Sequence, residues 1–239
     1  MPKPNLIVLT NDDGIDAPGL AALREATRGV LETRVMAPLS ARSGCSHLVT
    51  THKPITLHER GEDRIAVDGS PADCVRVALH RLGPEVAWVL SGINEGGNLG
   101  ADLHISGTVA AAREAAIHGI PAVAVSQYMA RGRAIDWAQA ARWASTILVD
   151  LMARPFEPGT FWNVNLPHPE PGGADPEVVY CPVDLSPLPL LYREEHGALV
   201  YCGDYQGRTR RESSDVDVCF GGRIAVSKVH VMASAWPIV

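Results

Sequence analysis

The sequence predicts an α/β fold: a mainly parallel sheet with helices on both faces. Short runs of consecutive apolar residues, typical of strands buried on both sides, alternate with amphipathic helical segments through residue 166. Most of these strands run straight into a cluster of polar residues. Beyond residue 166 the pattern changes to Pro/Gly-rich loop, a hairpin signal and closing strands. The expected organisation is one domain over 1–239. It has a core over 1–166, a loop and protruding C-terminal β-hairpin arm over about 167–222, and closing strands over about 223–239.

Leu6-Ile7-Val8-Leu9 is the first buried strand, and it leads into Asn11-Asp12-Asp13-Gly14. Adjacent carboxylates repel, and one is driven toward protonation unless a cation neutralises both. Neighbours on a strand point to opposite faces, so bringing both to one ion needs a turn. Gly14, which tolerates positive φ, can supply it. The other reading of these residues is an Asx-rich turn capping the next helix. That helix is expected at Asp16-Ala17-Pro18-Gly19, with Asp16 as cap, and Leu20, Leu23 and Ala26 follow at helical spacing.

Thr33–Ala37 is a second short strand, stopped by Pro38, and it delivers a loop of small polar residues as far as His47. Weaker strands are expected near Leu48–Thr51 and Arg64–Val67. Ser70-Pro71-Ala72-Asp73 joins a capping-box pattern to proline at the first helical position, and Val75, Ala78, Leu79 and Leu82 form the buried stripe. Ala87–Leu90 is another buried strand, ending in Ser91-Gly92-Ile93-Asn94 and a glycine-rich run to Gly100. Ser106-Gly107-Thr108 opens an Ala-rich helix that closes at Gly119, followed by a strand at Ala122–Ser126. Asp136 caps a longer helix whose apolar face runs from Trp137 to Leu151, and Phe161–Leu166 is one more strand. Leu190–Glu194 and Ala198–Tyr201 flank a turn at His196-Gly197. The Arg-rich stretch Gln206–Ser214 reads as exposed arm, and Ile224–Val226 and Val229–Val231 as two closing strands.

The formal net charge of −6 argues against a basic surface for nucleic-acid polymers. No apolar run is long enough to cross a bilayer, and no N-terminal stretch has the pattern of a secretory leader. The five cysteines are scattered, odd in number and free of C-x-x-C spacing, as expected of reduced thiols in a cytoplasmic protein.

In a parallel sheet the polar clusters after successive strands share one edge, where ligands bind. Asp12 and Asp13 are hard oxygen ligands suited to Mg²⁺ or Mn²⁺; Asn94 could add a carbonyl oxygen and Ser43 a hydroxyl. Taken singly, Asn94 reads equally as a turn former and Ser43 as an ordinary loop residue. Two carboxylates balance a divalent ion, so an incoming phosphate would meet little net negative charge. The helix start at Ser106-Gly107-Thr108 offers free N–H groups and a favourable dipole to an anion, although an ordinary cap has the same residues. The sequence has no G-x-G-x-x-G, no P-loop and no H-E-x-x-H pattern. His47 and His104 lie near these loops without spacing that marks them as more than surface histidines.

Several motifs occur in one family's order. They are Asn11-Asp12-Asp13-Gly14 with Ala17-Pro18-Gly19, Ala37-Pro38 with Arg42-Ser43-Gly44, and Gly69 through Val75. Ser91-Gly92-Ile93-Asn94 with Gly96, Asn98 and Gly100, and Ser106-Gly107-Thr108-Val109, continue the series. Asn163-Val164-Asn165 and Asp215 with Val218 and Gly222 extend it. Together they closely resemble the SurE survival-protein family of nucleoside-monophosphate phosphatases. The chain departs from that pattern at His47, at Gly97 and at Ser227-Lys228.

The resemblance implies a Rossmann-like core, an arm used in subunit exchange, and a homodimer or homotetramer. It implies one divalent metal ion per subunit, Mg or Mn, held by Asp12, Asp13, Ser43 and Asn94, with Asp12 and Asp13 in the catalytic role. Phosphate contacts are implied at Asn11, Gly44, Asn98, Ser106, Gly107 and Thr108. The implied reaction is hydrolysis of nucleoside 5′- and 3′-monophosphates, extending to short polyphosphate. Two other readings predict different behaviour: a metal-dependent nucleotide sensor binds without turnover, and an aspartyl-phosphate phosphatase passes through a trappable phosphoenzyme.

Overall fold

A computed structural model describes residues 4–170, 172 and 174–231. In chain order the elements are β1 (Leu6–Thr10), α1 (Pro18–Ala26), β2 (Glu32–Pro38), β3 (Leu57–Glu59) and β4 (Arg64–Val67). Then come α2 (Pro71–Leu82), β5 (Val86–Glu95), α3 (Gly107–Ile117), β6 (Ala122–Gln127), α4 (Trp137–Ala153) and β7 (Thr160–Leu166). The remainder is β8 (Val178–Tyr180), β9 (Tyr192–Glu195), β10 (Ala198–Tyr201), α5 (Asp215–Phe220) and β11 (Ile224–His230). Among the described residues a nine-stranded sheet has the order β3-β4-β2-β1-β5-β6-β7-β11-β8, and β9 and β10 pair only with each other. Neighbours in the large sheet run parallel except β3–β4 and β7–β11.

The alternation along β1 explains the layers. Ile7 and Leu9 enter one core with Leu20, Leu23, Ile147 and Leu148, whereas Val8 enters the other with Val75, Val109 and Phe161. Thus α1 and α4 cover one face while α2 and α3 cover the other, the expected architecture. Alanine dominates the buried surface of α3 (Ala110, Ala111, Ala112, Ala115 and Ala116), which lets the helix lie close to both sheet and α2. The caps of α2 and α4 form as the sequence indicated: Ser70 and Asp73 make a reciprocal capping box, and Asp136 accepts from the Gln139 N–H at 2.9 Å. His196 and Gly197 both have positive φ at the hairpin tip, the backbone of a type I′ turn.

Several expectations are corrected. Leu48–Thr51 is not a strand, because its polar groups are taken by the α2 cap: Ser70 Oγ donates to Leu48 O at 2.5 Å, and Thr50 N–H donates to Asp73 at 2.8 Å. The antiparallel edge strand lies later, at β3. Asp16 does not cap α1; Ala17 holds that position, and Asp16 pairs with Arg64 at 2.9 Å. The two closing strands are one continuous β11, paired with β7 from Ala225 to His230. Residues 232–239 lie outside the described residues. The stretch assigned to loop and arm also contains β8, which joins the large sheet, and α5. Arg208, expected on an exposed arm, is 5% exposed.

Candidate active site

The strand order places β1 between β2 and β5, with the chain stepping to β2 on one side and then through β5, β6 and β7 on the other. That reversal is the switch point where open α/β sheets bind ligands outside their carboxyl ends. Asn11-Asp12-Asp13 follows β1, and Asn94 and Glu95 end β5. A register shift between Ser91 and Asn94 re-aims the end of β5, as bulges near functional sites do.

Asn11 closes the turn, accepting from Gly14 N–H at 3.2 Å and donating to Gly14 O at 2.9 Å, with Gly14 at φ +104°. Asp12 is buried against the first turn of α3, where the Thr108 hydroxyl donates to its Oδ1. A Cβ on residue 107 would fall 2.8 Å from Asp12 Oδ2 and 3.1 Å from Cys45 Sγ, so Gly107 is required by this approach. Arg42 N–H donates to Asp12 O at 2.7 Å, bringing the Ser43–Gly44 loop alongside. Asp13 Oδ2 accepts from Glu95 N–H at 3.2 Å. The Asn94 amide donates to Gly96 O at 2.7 Å, which commits its nitrogen end to the loop.

Asp12, Asp13, Ser43, Gly44 and Asn94, with Asn98 and Ser106, line one cleft of about 380 Å³. Asn98 has a rigid mount: its N–H donates to Asn165 at 2.8 Å, its side chain donates to Ser126 at 2.8 Å, and its carbonyl accepts from Asn163 and Asn165. Asn11, Gly107 and Thr108 do not line the cleft. Asn11 instead holds the turn after β1, and Gly107 and Thr108 lie against Asp12. Ser106 caps α3, its Oγ accepting from Val109 N–H at 3.1 Å. A larger open groove of about 1050 Å³ beside α1 and β2 contains none of these residues.

Burial raises the Asp12 carboxyl, opposed by the Thr108 hydroxyl and by N–H groups of the α3 start. Asp13 is pushed up to about 6 by burial first, then by the charges of Asp12 and Glu95. Among the described residues lining the cleft there is no lysine, arginine or histidine. Two carboxylates held together in such surroundings are relieved by a cation. With a hydroxyl and an amide beside them they fit a hard divalent ion, and the residues that could hold it are Asp12, Asp13, Ser43 and Asn94.

Sequence reasoning missed Tyr128, Met129 and Tyr205, which also line the cleft. Tyr128 directly follows β6, so the strand-end rule that selected Asn94 could have found it. Tyr205 carries no local signal. It also missed the partner of His47, whose Nε2 lies 2.7 Å from Glu114 Oε2.

The family described as survival protein SurE matches over residues 7–182. A provisionally named 5′-nucleotidase of Nostoc sp. is 52% identical over 225 residues, covering 94% of this chain and 99% of that protein. The 5′-nucleotidase SurE of Rhizorhabdus wittichii is 44% identical over 173 residues, 69% of this chain and 67% of its own. The crystal structure of the SurE protein from Aquifex aeolicus is similar with a TM-score of 0.84 at 29% identity, covering 98% of this chain and 96% of that one.

Proposed function

The chain belongs to the SurE survival-protein family, and from that premise we propose that it is a metal-dependent nucleotidase. It hydrolyses nucleoside 5′-monophosphates to nucleoside and phosphate, and its activity extends to 3′-monophosphates and short polyphosphate. One observation carries the metal requirement. The cleft offers a phosphate dianion four carboxylates, Asp12, Asp13, Glu95 and Asp102, and no cationic side chain among its described lining residues. Such a site attracts a phosphoester only when positive charge is bound within it.

Asp12, Asp13, Ser43 and Asn94 hold the ion, Mg²⁺ or Mn²⁺, one per subunit. When bound, it supplies Lewis acidity toward a phosphate oxygen and lowers the pKa of water. Asp12, fixed by Thr108 and the start of α3, keeps its ligand geometry without reorganising. Asp13, tied to the end of β5 by Glu95 N–H, is the more accessible carboxylate and is positioned to orient the attacking water. Asn98 and Ser106 present donors to the equatorial phosphate oxygens, with the Gly44 backbone beside them.

The two-stranded arm supports assembly as a homodimer or homotetramer. Leu190, Leu191, Tyr192 and Leu199 on and beside it are 85%, 54%, 54% and 70% exposed, a concentration of apolar surface that suits a second copy. Among the described residues no helix is long and apolar enough to cross a membrane.

The test is phosphate release from 5′-AMP, 3′-AMP and short polyphosphate after chelation and add-back of Mg²⁺ or Mn²⁺. Activity lost on chelation and restored by the ion supports the reading. Turnover indifferent to chelation would sink the metal site, and metal-dependent binding without turnover would favour a sensor.

A further inference from the structure

The cleft is lined by carboxylates and amides and also by aromatic and apolar side chains. The aromatic lining comes from segments far apart in the chain, Tyr128 after β6 and Tyr205 after the hairpin, with Phe220 at the close of α5 behind Tyr128. Tyr128 is backed by Phe220, with ring centroids 4.7 Å apart and planes inclined at 31°. Tyr205 is backed by the Arg208 guanidinium, 4.3 Å from its centroid, and its hydroxyl donates to Asp102 at 2.5 Å. Arg208 in turn donates to Asp102 at 3.2 Å and to Leu99 O at 3.3 Å. Both tyrosines line the cleft, and Met129 and Ile105 add apolar surface there. A bare phosphate, or a phosphate on a short alcohol, has no group that uses these aromatic faces.

Resting on the nucleotidase reading, we propose that Tyr128 and Tyr205 form the platform on which the nucleobase stacks. Each ring has one face supported by protein, by Phe220 or by Arg208, so it is held rigid without side-chain ordering at the moment of binding. Every base has a π face, so stacking of this kind tolerates sequence and discriminates by presence of a base. The site therefore accepts purine and pyrimidine nucleotides with modest differences and rejects phosphoesters that lack a base. Arg208 and Asp102 are positioning residues, acting through Tyr205.

The experiment compares 5′-AMP with ribose 5-phosphate, which has the same ester and sugar but no base. The expected wild-type preference in kcat/KM is on the order of 10- to 100-fold. Tyr128→Ala and Tyr128→Leu should bring the ratio close to one, chiefly through KM, while Tyr128→Phe should retain it. Arg208→Lys should lower the ratio partway, because the planar guanidinium that backs Tyr205 is lost. A wild-type ratio near one, or a ratio unmoved in folded Tyr128→Ala and Tyr128→Leu, would overturn the platform and leave the phosphatase reading intact. Hydrolysis of neither ester would defeat the nucleotidase reading instead. The platform is then judged by calorimetric binding of adenosine against ribose, and supported only if adenosine binds and Tyr128→Ala loses it.

Discussion

The hydroxyl of Thr108 donates to Oδ1 of Asp12, so the first turn of α3 grips a carboxylate from the end of β1. This bond lowers an Asp12 pKa that burial raises, and so favours the ionised form needed to hold a cation. Thr108→Val, which keeps the shape and removes the donor, should weaken Mg²⁺ or Mn²⁺ affinity and lower kcat/KM. A hydrogen bond to a charged group is worth about 1.5–3 kcal/mol, a loss of roughly 10- to 150-fold. Thr108→Ser should recover most of it. Metal titrations of both variants decide the point, and an unaltered metal affinity in Thr108→Val would contradict it.

Asp13→Asn and Asp12→Asn should each abolish metal-dependent turnover, since each removes one of only two anionic ligands. Their effect on stability should be the reverse of a usual core defect. A carboxyl whose folded pKa is raised is destabilising when ionised, so removing the charge at Asp13 should leave the melting temperature of metal-free protein equal or higher. Near-normal turnover in both variants at saturating metal would remove the site from these residues.

Glu114 behaves in the opposite sense. Burial alone would raise its pKa, but hydrogen bonds from His47, Arg76 and His118 outweigh it and hold the carboxyl at about 2, below its ordinary value of 4.5. A depressed pKa contributes stability above the unfolded value and loses it as pH falls toward the folded one. With only 4% of the Glu114 side chain exposed, the contribution is on the order of 3 kcal/mol. Urea midpoints should fall between pH 5 and pH 2 more steeply in the parent than in Glu114→Gln. Equal slopes would show that the cluster holds no such free energy.

All five cysteines should titrate as free thiols in denaturant without reductant, and their native reactivities should separate. Cys202 is exposed and should react first with a thiol reagent. Cys74 and Cys219 are buried, and that burial pushes their thiols up, so they should react only on unfolding. A bridge, or rapid labelling of Cys74 in folded protein, would contradict this order.

Local chemistry made much of this molecule legible before any coordinates. The strand over Leu6–Leu9, the Ser70–Asp73 box and the Asp136 cap depend on neighbours within a few residues, and all form as read. The convergence of Asp12, Asp13, Ser43 and Asn94 followed from the single rule that parallel strands share a carboxyl edge. Failures came where distant partners compete for local groups. Leu48 and Thr50 look like strand residues, but their backbone is claimed by Ser70 and Asp73. Thr108 looks like an ordinary helix-start residue, and its hydroxyl bond to Asp12, far away in sequence, carries no local signal. Arg208 looks solvated until Asp102 and Tyr205 bury it.

The antiparallel seam between β7 and β11 has a consequence for synthesis on the ribosome. When β7 has emerged, its partner on one side, β6, is already present, but the other edge must wait for β11 near the far end of the chain. Until then a hydrogen-bonding edge through Phe161 and Val164 is open to any neighbouring nascent chain. Released chains truncated between residues 166 and 224 should therefore sediment as aggregates, and those reaching past residue 230 should remain in the supernatant. Chaperone demand is then concentrated in the interval when the arm and α5 are being made.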